Sequence, residues 1–113
     1  HALNALGFTL ADQTDRFEEA YDYLKRAIEI MPDDPAIIDS LGWVQYRMGN
    51  YDEAERLLRT ALSRFEDAEI AAHLGEVLWV KGKQQEARGI WQKALEKSPD
   101  DPTLLKVMQR FIP

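Results

Sequence analysis

Small residues return along this 113-residue chain at an interval of 33 to 35. Ala20, Ala54 and Ala87 are spaced by 34 and then 33, and Ala27, Ala61 and Ala94 repeat those intervals. Gly7, Gly42 and Gly75 are spaced by 35 and 33. A Gly or Ala that recurs once per helix pair marks a place where two helices approach too closely for a larger side chain. Each pair alone would leave an apolar face in water, and stacking neighbours buries those faces in turn, which is the logic of a solenoid.

Between these marks the apolar residues follow the helical period, with almost nothing strand-like. The pattern predicts helices near 2–12, 16–31, 35–48, 51–65, 68–81, 84–97 and 102–111. Their ends carry specific signals. Gly49 and Gly82 follow helical runs where a left-handed residue is wanted. Asp34-Pro35 and Asp101-Pro102 set a capping acceptor before a proline at the first helical position, where the missing N–H costs nothing. Asp15 to Glu18 and Asn50 to Glu53 have the spacing of a capping box. Paired acids such as Asp33-Asp34 and Asp100-Asp101 recur once per unit, as helix starts do, and are not read as catalytic carboxylates.

Composition excludes several functions. Without cysteine there is no disulfide framework, thiol nucleophile or thiolate ligand, and with His73 the only internal histidine the usual metal constellations cannot be assembled. No glycine-rich phosphate loop appears. The expectation is therefore no catalysis, no cofactor and no metal. Of the net charge of −6, the stretch Asp12 to Asp39 holds all, with nine acidic residues against three basic ones. Such a chain repels phosphate backbones, so nucleic acid is not expected as a partner. No stretch approaches the roughly 18 apolar residues of a membrane span, so no membrane insertion is expected. The chain opens on His1 rather than Met, as an excised piece or a tag remnant would.

Leu41-Gly42, Gly49, Tyr51, Ala54 and Ala61-Leu62, then Leu74-Gly75, Gly82, Ala87, Trp91, Ala94-Leu95 and Pro99, resemble the tetratricopeptide repeat, a helix-turn-helix unit of about 34 residues. Phe17, Ala20, Leu24, Ala27-Ile28 and Pro32, with Leu6-Gly7 ahead of them, are similar. The resemblance implies an all-α fold: a right-handed solenoid of three repeats, about 1–33, 34–67 and 68–101, in one domain over 1–113, with a capping helix at about 102–112. Two departures stand out. Repeat one carries an extra residue in its Asp12 to Asp15 turn, and Glu66 replaces the proline of Pro32 and Pro99, which predicts a shorter second junction.

Stretches such as NALGFTLADQTDR and DDPAIIDSLGWVQYR also resemble the C-terminal repeats of bacterial lipid-anchored tetratricopeptide proteins at the outer membrane. One such group partners a periplasmic carboxyl-terminal processing protease. That likeness implies a periplasmic adaptor that brings substrates to a protease, with a cytoplasmic location as the alternative.

In this family the first helices of successive units line a concave surface. Stepping by three and four from the scaffold glycines puts Asp39, Trp43, Tyr46 and Arg47 there in unit two, and Glu69, His73, Glu76 and Trp79 in unit three. The family pattern adds Asn4 and Phe8 in unit one, and Lys106 and Arg110 on the capping helix. Aromatic anchors beside an arginine are common hot-spot chemistry, so Trp43 and Trp79 are expected as exposed anchors of a peptide or partner protein. The alternative is that both tuck between helices and pack. Trp91 occupies the register of Leu24 and Leu58, and is expected in the core. Asn4, Phe8, Ser40, Glu69 and His73 stand where chaperone-binding relatives carry a carboxylate clamp, and only Asn4 fits it. The remaining alternative for function is assembly, with weak self-association through solenoid ends or the convex face.

Overall fold

The computed structural model describes residues 16–113. Six helices follow one another: α1 (Phe17–Ile30), α2 (Pro35–Arg47), α3 (Tyr51–Arg64), α4 (Ala68–Val80), α5 (Gln84–Lys97) and α6 (Pro102–Phe111). Each begins and ends within one residue of its expected bounds. There is no strand among the described residues. The expected helix over 2–12, the extra residue of the Asp12 to Asp15 turn, and the candidate site residues Asn4 and Phe8 lie outside the described residues.

The helix ends show why the bounds were readable. Asp34 accepts from the backbone N–H of Ala36 at 2.8 Å, and Asp101 from that of Leu104 at 2.9 Å, each with a proline at the next position. Gly49 and Gly82 both adopt φ +88°, and the two turns they make are the same. Gly49 N–H donates to the Tyr46 carbonyl and Asn50 N–H to the Gln45 carbonyl, while Gly82 donates to Trp79 and Lys83 to Leu78. This is the paired closure that satisfies the last carbonyls of a helix, and an L side chain at either glycine would be strained. The first expected capping box rests on Asp15, which lies outside the described residues; Arg16, the residue before α1, makes no side-chain cap bond. At the second, Asn50 Nδ2 donates to Gln45 Oε1 at 2.7 Å, back across the turn.

The chain forms two compact units, divided between Arg64 and Phe65. In the first, α2 packs against α3 and α1. Its core holds Ala20, Leu24 and Ala27 from α1, Ile37 and Val44 from α2, and Ala54, Leu58 and Ala61 from α3, all fully buried. The place of a Cβ on Gly42 lies 2.9 Å from Leu58 Cγ, so α3 sits as close to α2 as a missing side chain allows. Arg64 at the end of α3 reaches back to Asp33 in the α1–α2 link at 2.6 Å.

In the second unit α4 packs against α5 and α6. Ile70, Leu74, Val77 and Leu78 of α4 meet Ala87 and Trp91 of α5 and Leu104 of α6 in its core. Trp91 is fully buried, at the register of Leu24 and Leu58. Ala94 is half-buried, unlike Ala27 and Ala61; α6 lies mainly on α4 and only lightly on α5. Lys97 at the end of α5 pairs with Glu66 in the link before α4. That link, 65–67, is shorter than 31–34 and 98–101, as the missing proline predicted.

Candidate functional site

The first helices of the repeats carry the candidate residues, and the structure sorts them by depth. On α2, Asp39 and Trp43 are buried, at 6% and 7% exposure, while Tyr46 and Arg47 are half-buried. The rings of Trp43 and Tyr46 stand 5.0 Å apart, and Tyr46 stands 5.6 Å from Tyr51 at the start of α3. An aromatic ladder therefore runs from the buried side of α2 to the exposed Tyr51 at the turn. Arg47 lies over the Phe17 ring of α1, with its guanidinium carbon 5.3 Å from the centroid. An arginine stacked on a ring in this way gains a cation–π contact that limits the freedom of its side chain.

On α4, Glu69 is exposed, whereas His73 and Glu76 are buried at 7% and 5% exposure. Arg110 on α6 brings Nη1 to 3.6 Å from Glu76 Oε1, and its side chain stays largely in solvent. The contact is an ion pair beyond hydrogen-bond distance. Lys106, one turn earlier on α6, is exposed. The second unit thus presents exposed cations on α6 beside a sunken carboxylate on α4.

Trp79 differs from the exposed anchor expected of it. Its ring is stacked on Trp91 at 5.8 Å and tilted against Phe111 at 5.9 Å, and Phe111 is stacked on Trp91 at 6.0 Å. Arg88 covers Trp79 at 5.4 Å and Arg110 covers Phe111 at 4.8 Å. Trp79 is half-buried in a three-ring cluster joining α4, α5 and α6, Trp43 is buried outright, and Tyr46 and Arg47 of α2 are half-buried. The sequence reading missed Phe111 and Phe17. Phe111 stands ten residues into its helix, as Val44 and Val77 do in theirs, so carrying the core register onto α6 would have marked it.

Among the described residues no three His, Cys, Asp or Glu side chains come together to hold a metal ion, and no helix is long and apolar enough to cross a membrane.

Family models described as Tetratricopeptide repeat match residues 40–102 and 1–67. A TPR repeat-containing protein of Pseudomonas aeruginosa is 59% identical over 75 residues, 66% of this chain and 13% of that protein. Human tetratricopeptide repeat protein 7A is 32% identical over 105 residues, 92% of this chain and 12% of that protein. The chain therefore spans about an eighth of the length of these relatives. The crystal structure of a thermophilic TPR protein from Thermus thermophilus is similar at a TM-score of 0.74 and 31% identity, covering 97% of this chain and 57% of that one.

Proposed function

This chain belongs to the tetratricopeptide repeat family, whose domains generally mediate protein–protein interaction, and from that premise we propose that it is a non-catalytic scaffold holding a peptide or partner protein against the faces of its first helices. The observation that carries this is the ladder Trp43–Tyr46–Tyr51 with Arg47 beside it. Its inner end is locked in packing, so Tyr46 and Arg47 are presented with little conformational freedom left to lose on binding. Aromatic and arginine side chains held in this way supply most of the energy at interfaces of ordinary size. The second unit carries charged side chains of its own at its surface, Lys106, Arg110 and Glu69.

The finer role we propose is that of an adaptor for a periplasmic carboxyl-terminal processing protease. What supports it is the likeness of the Asn4 to Arg16 and Asp33 to Arg47 stretches to the repeats of lipid-anchored partners of such proteases. The test is binding of the chain to a purified protease of that class, measured by calorimetry. Tyr46→Ala with Arg47→Ala should weaken it by at least about 2 kcal/mol, the usual hot-spot threshold, while the helical circular dichroism signal persists. Undiminished binding of the double variant excludes the α2 face. Failure of any such protease to bind excludes the adaptor role and leaves the scaffold reading to be tested on other partners.

A further inference from the structure

Gly42, Gly75 and Gly89 sit inside helices. At the first two the place of a Cβ is already taken, by Leu58 Cγ at 2.9 Å and by Trp91 Nε1 at 2.0 Å. At Gly89, in the middle of α5, nothing lies within 4 Å of that place. Glycine is the costliest residue in a helix interior after proline, because its backbone has most freedom to lose. At Gly42 and Gly75 that cost is offset by a second helix seated against the bare backbone. Gly89 has the same bare backbone and faces solvent.

The residues around it show what fits. Stepping by three and four from Gly89 gives Gln85, Glu86, Gln92 and Lys93, all exposed. An acid stands one turn before the glycine and a base one turn after. Two such helices crossing in parallel at their glycines would set Glu86 beside Glu86 and Lys93 beside Lys93. Crossing antiparallel, each Glu86 meets the other helix's Lys93, and a two-fold axis forms both pairs at once. The face is therefore complementary to itself in one orientation.

We infer that the exposed face of α5 centred on Gly89 is a self-association surface that takes a second copy of this chain, α5 crossing α5 antiparallel with the two glycine backbones in contact. This surface lies on a second helix, and it does not depend on the first-helix faces binding a partner. One helix crossing buries less than the roughly 1,000 Å² of a stable interface, so the association is weak and shows only in concentrated solution.

Sedimentation equilibrium of the whole chain, from about 10 μM to about 1 mM, tests it at dissociation constants typical of weak contacts. The mean mass should rise from monomer toward dimer over that range. Gly89→Leu should hold the protein monomeric throughout with its helical circular dichroism intact, since leucine is a good helix former and the space is open. Glu86→Lys and Lys93→Glu should each weaken association at least tenfold, and the two together should restore it. A mass that stays monomeric to the top of the range overturns the proposal. So does self-association that survives Gly89→Leu, which would place the contact elsewhere, or a charge-swapped double variant that fails to recover.

Discussion

Trp91 fills the space that Gly75 leaves empty: a Cβ on Gly75 would stand 2.0 Å from Trp91 Nε1, and that nitrogen donates to the Ala72 carbonyl at 3.3 Å. The indole thus packs against bare backbone one turn along α4 while its only polar atom is satisfied by the same helix. Neither residue tolerates change alone. Trp91→Ala should cost about 3–5 kcal/mol as a large core cavity. Gly75→Ala should cost about 1–3 kcal/mol or more, because the ring has no free volume to move into. Combined, the two should cost clearly less than their sum, since alanine at 75 no longer clashes once the ring is gone. Urea midpoints of the four proteins measure this coupling, and additive losses would show that the two are independent.

The three tryptophans should separate by quenching. Trp91 is fully buried, Trp43 buried at 7% exposure, and Trp79 half-buried in the ring cluster. In variants that keep a single tryptophan, with phenylalanine at the other two positions, acrylamide should quench Trp79 most and Trp91 least. Strong quenching of Trp43 in the free protein would mean that the inner end of the aromatic ladder is open to solvent.

Gly89→Ala should stabilise the monomer by about 0.5–1 kcal/mol, the helix-interior difference between the two residues. No atom of the chain lies where the new methyl group goes. Thermal unfolding at low micromolar concentration, where copies do not meet, is the appropriate measurement. A loss of stability would reveal a strained backbone at this point of α5.

Lys97 donates to Glu66 and, with Lys93 nearby, holds the Glu66 carboxyl below its ordinary value. A carboxyl whose titration is lowered by folding stabilises the fold above the unfolded value of about 4.3, and that contribution disappears as pH falls through the lowered folded value. Both side chains are more than half exposed, so salt should weaken the effect. Carboxyl-carbon NMR through an acid titration should place the Glu66 midpoint below those of unpaired glutamates, and Lys97→Met should raise it. An unchanged midpoint in that variant would remove Lys97 as the cause.

Most of the fold is legible in the sequence because its signals are local. A proline after an aspartate starts α2 and α6, and a glycine at positive φ closes α2 and α4. These depend on a few neighbouring backbone groups, so their chemistry is complete within one turn. The return of alanine and glycine every 33 to 35 residues reports helix pairing as well, because a small side chain is needed wherever two backbones meet. It was enough to put Trp91 in the core from the register of Leu24 and Leu58.

Depth on the first helices could not be read in this way. Periodicity places Asp39, Trp43, His73, Glu76 and Trp79 on one face, but whether that face is open or covered depends on what arrives from elsewhere in the chain. Phe111 comes from α6, thirty-two residues after Trp79, and stacks on it; Tyr51 arrives across a turn to meet Tyr46; Arg110 approaches Glu76 from a helix that shares no turn with it. Local chemistry, complete within a turn, determined the helices and their pairing. Which of their side chains stay accessible and which are packed away was decided only by tertiary contact, because burial belongs to the pair of surfaces that meet and neither segment holds it alone.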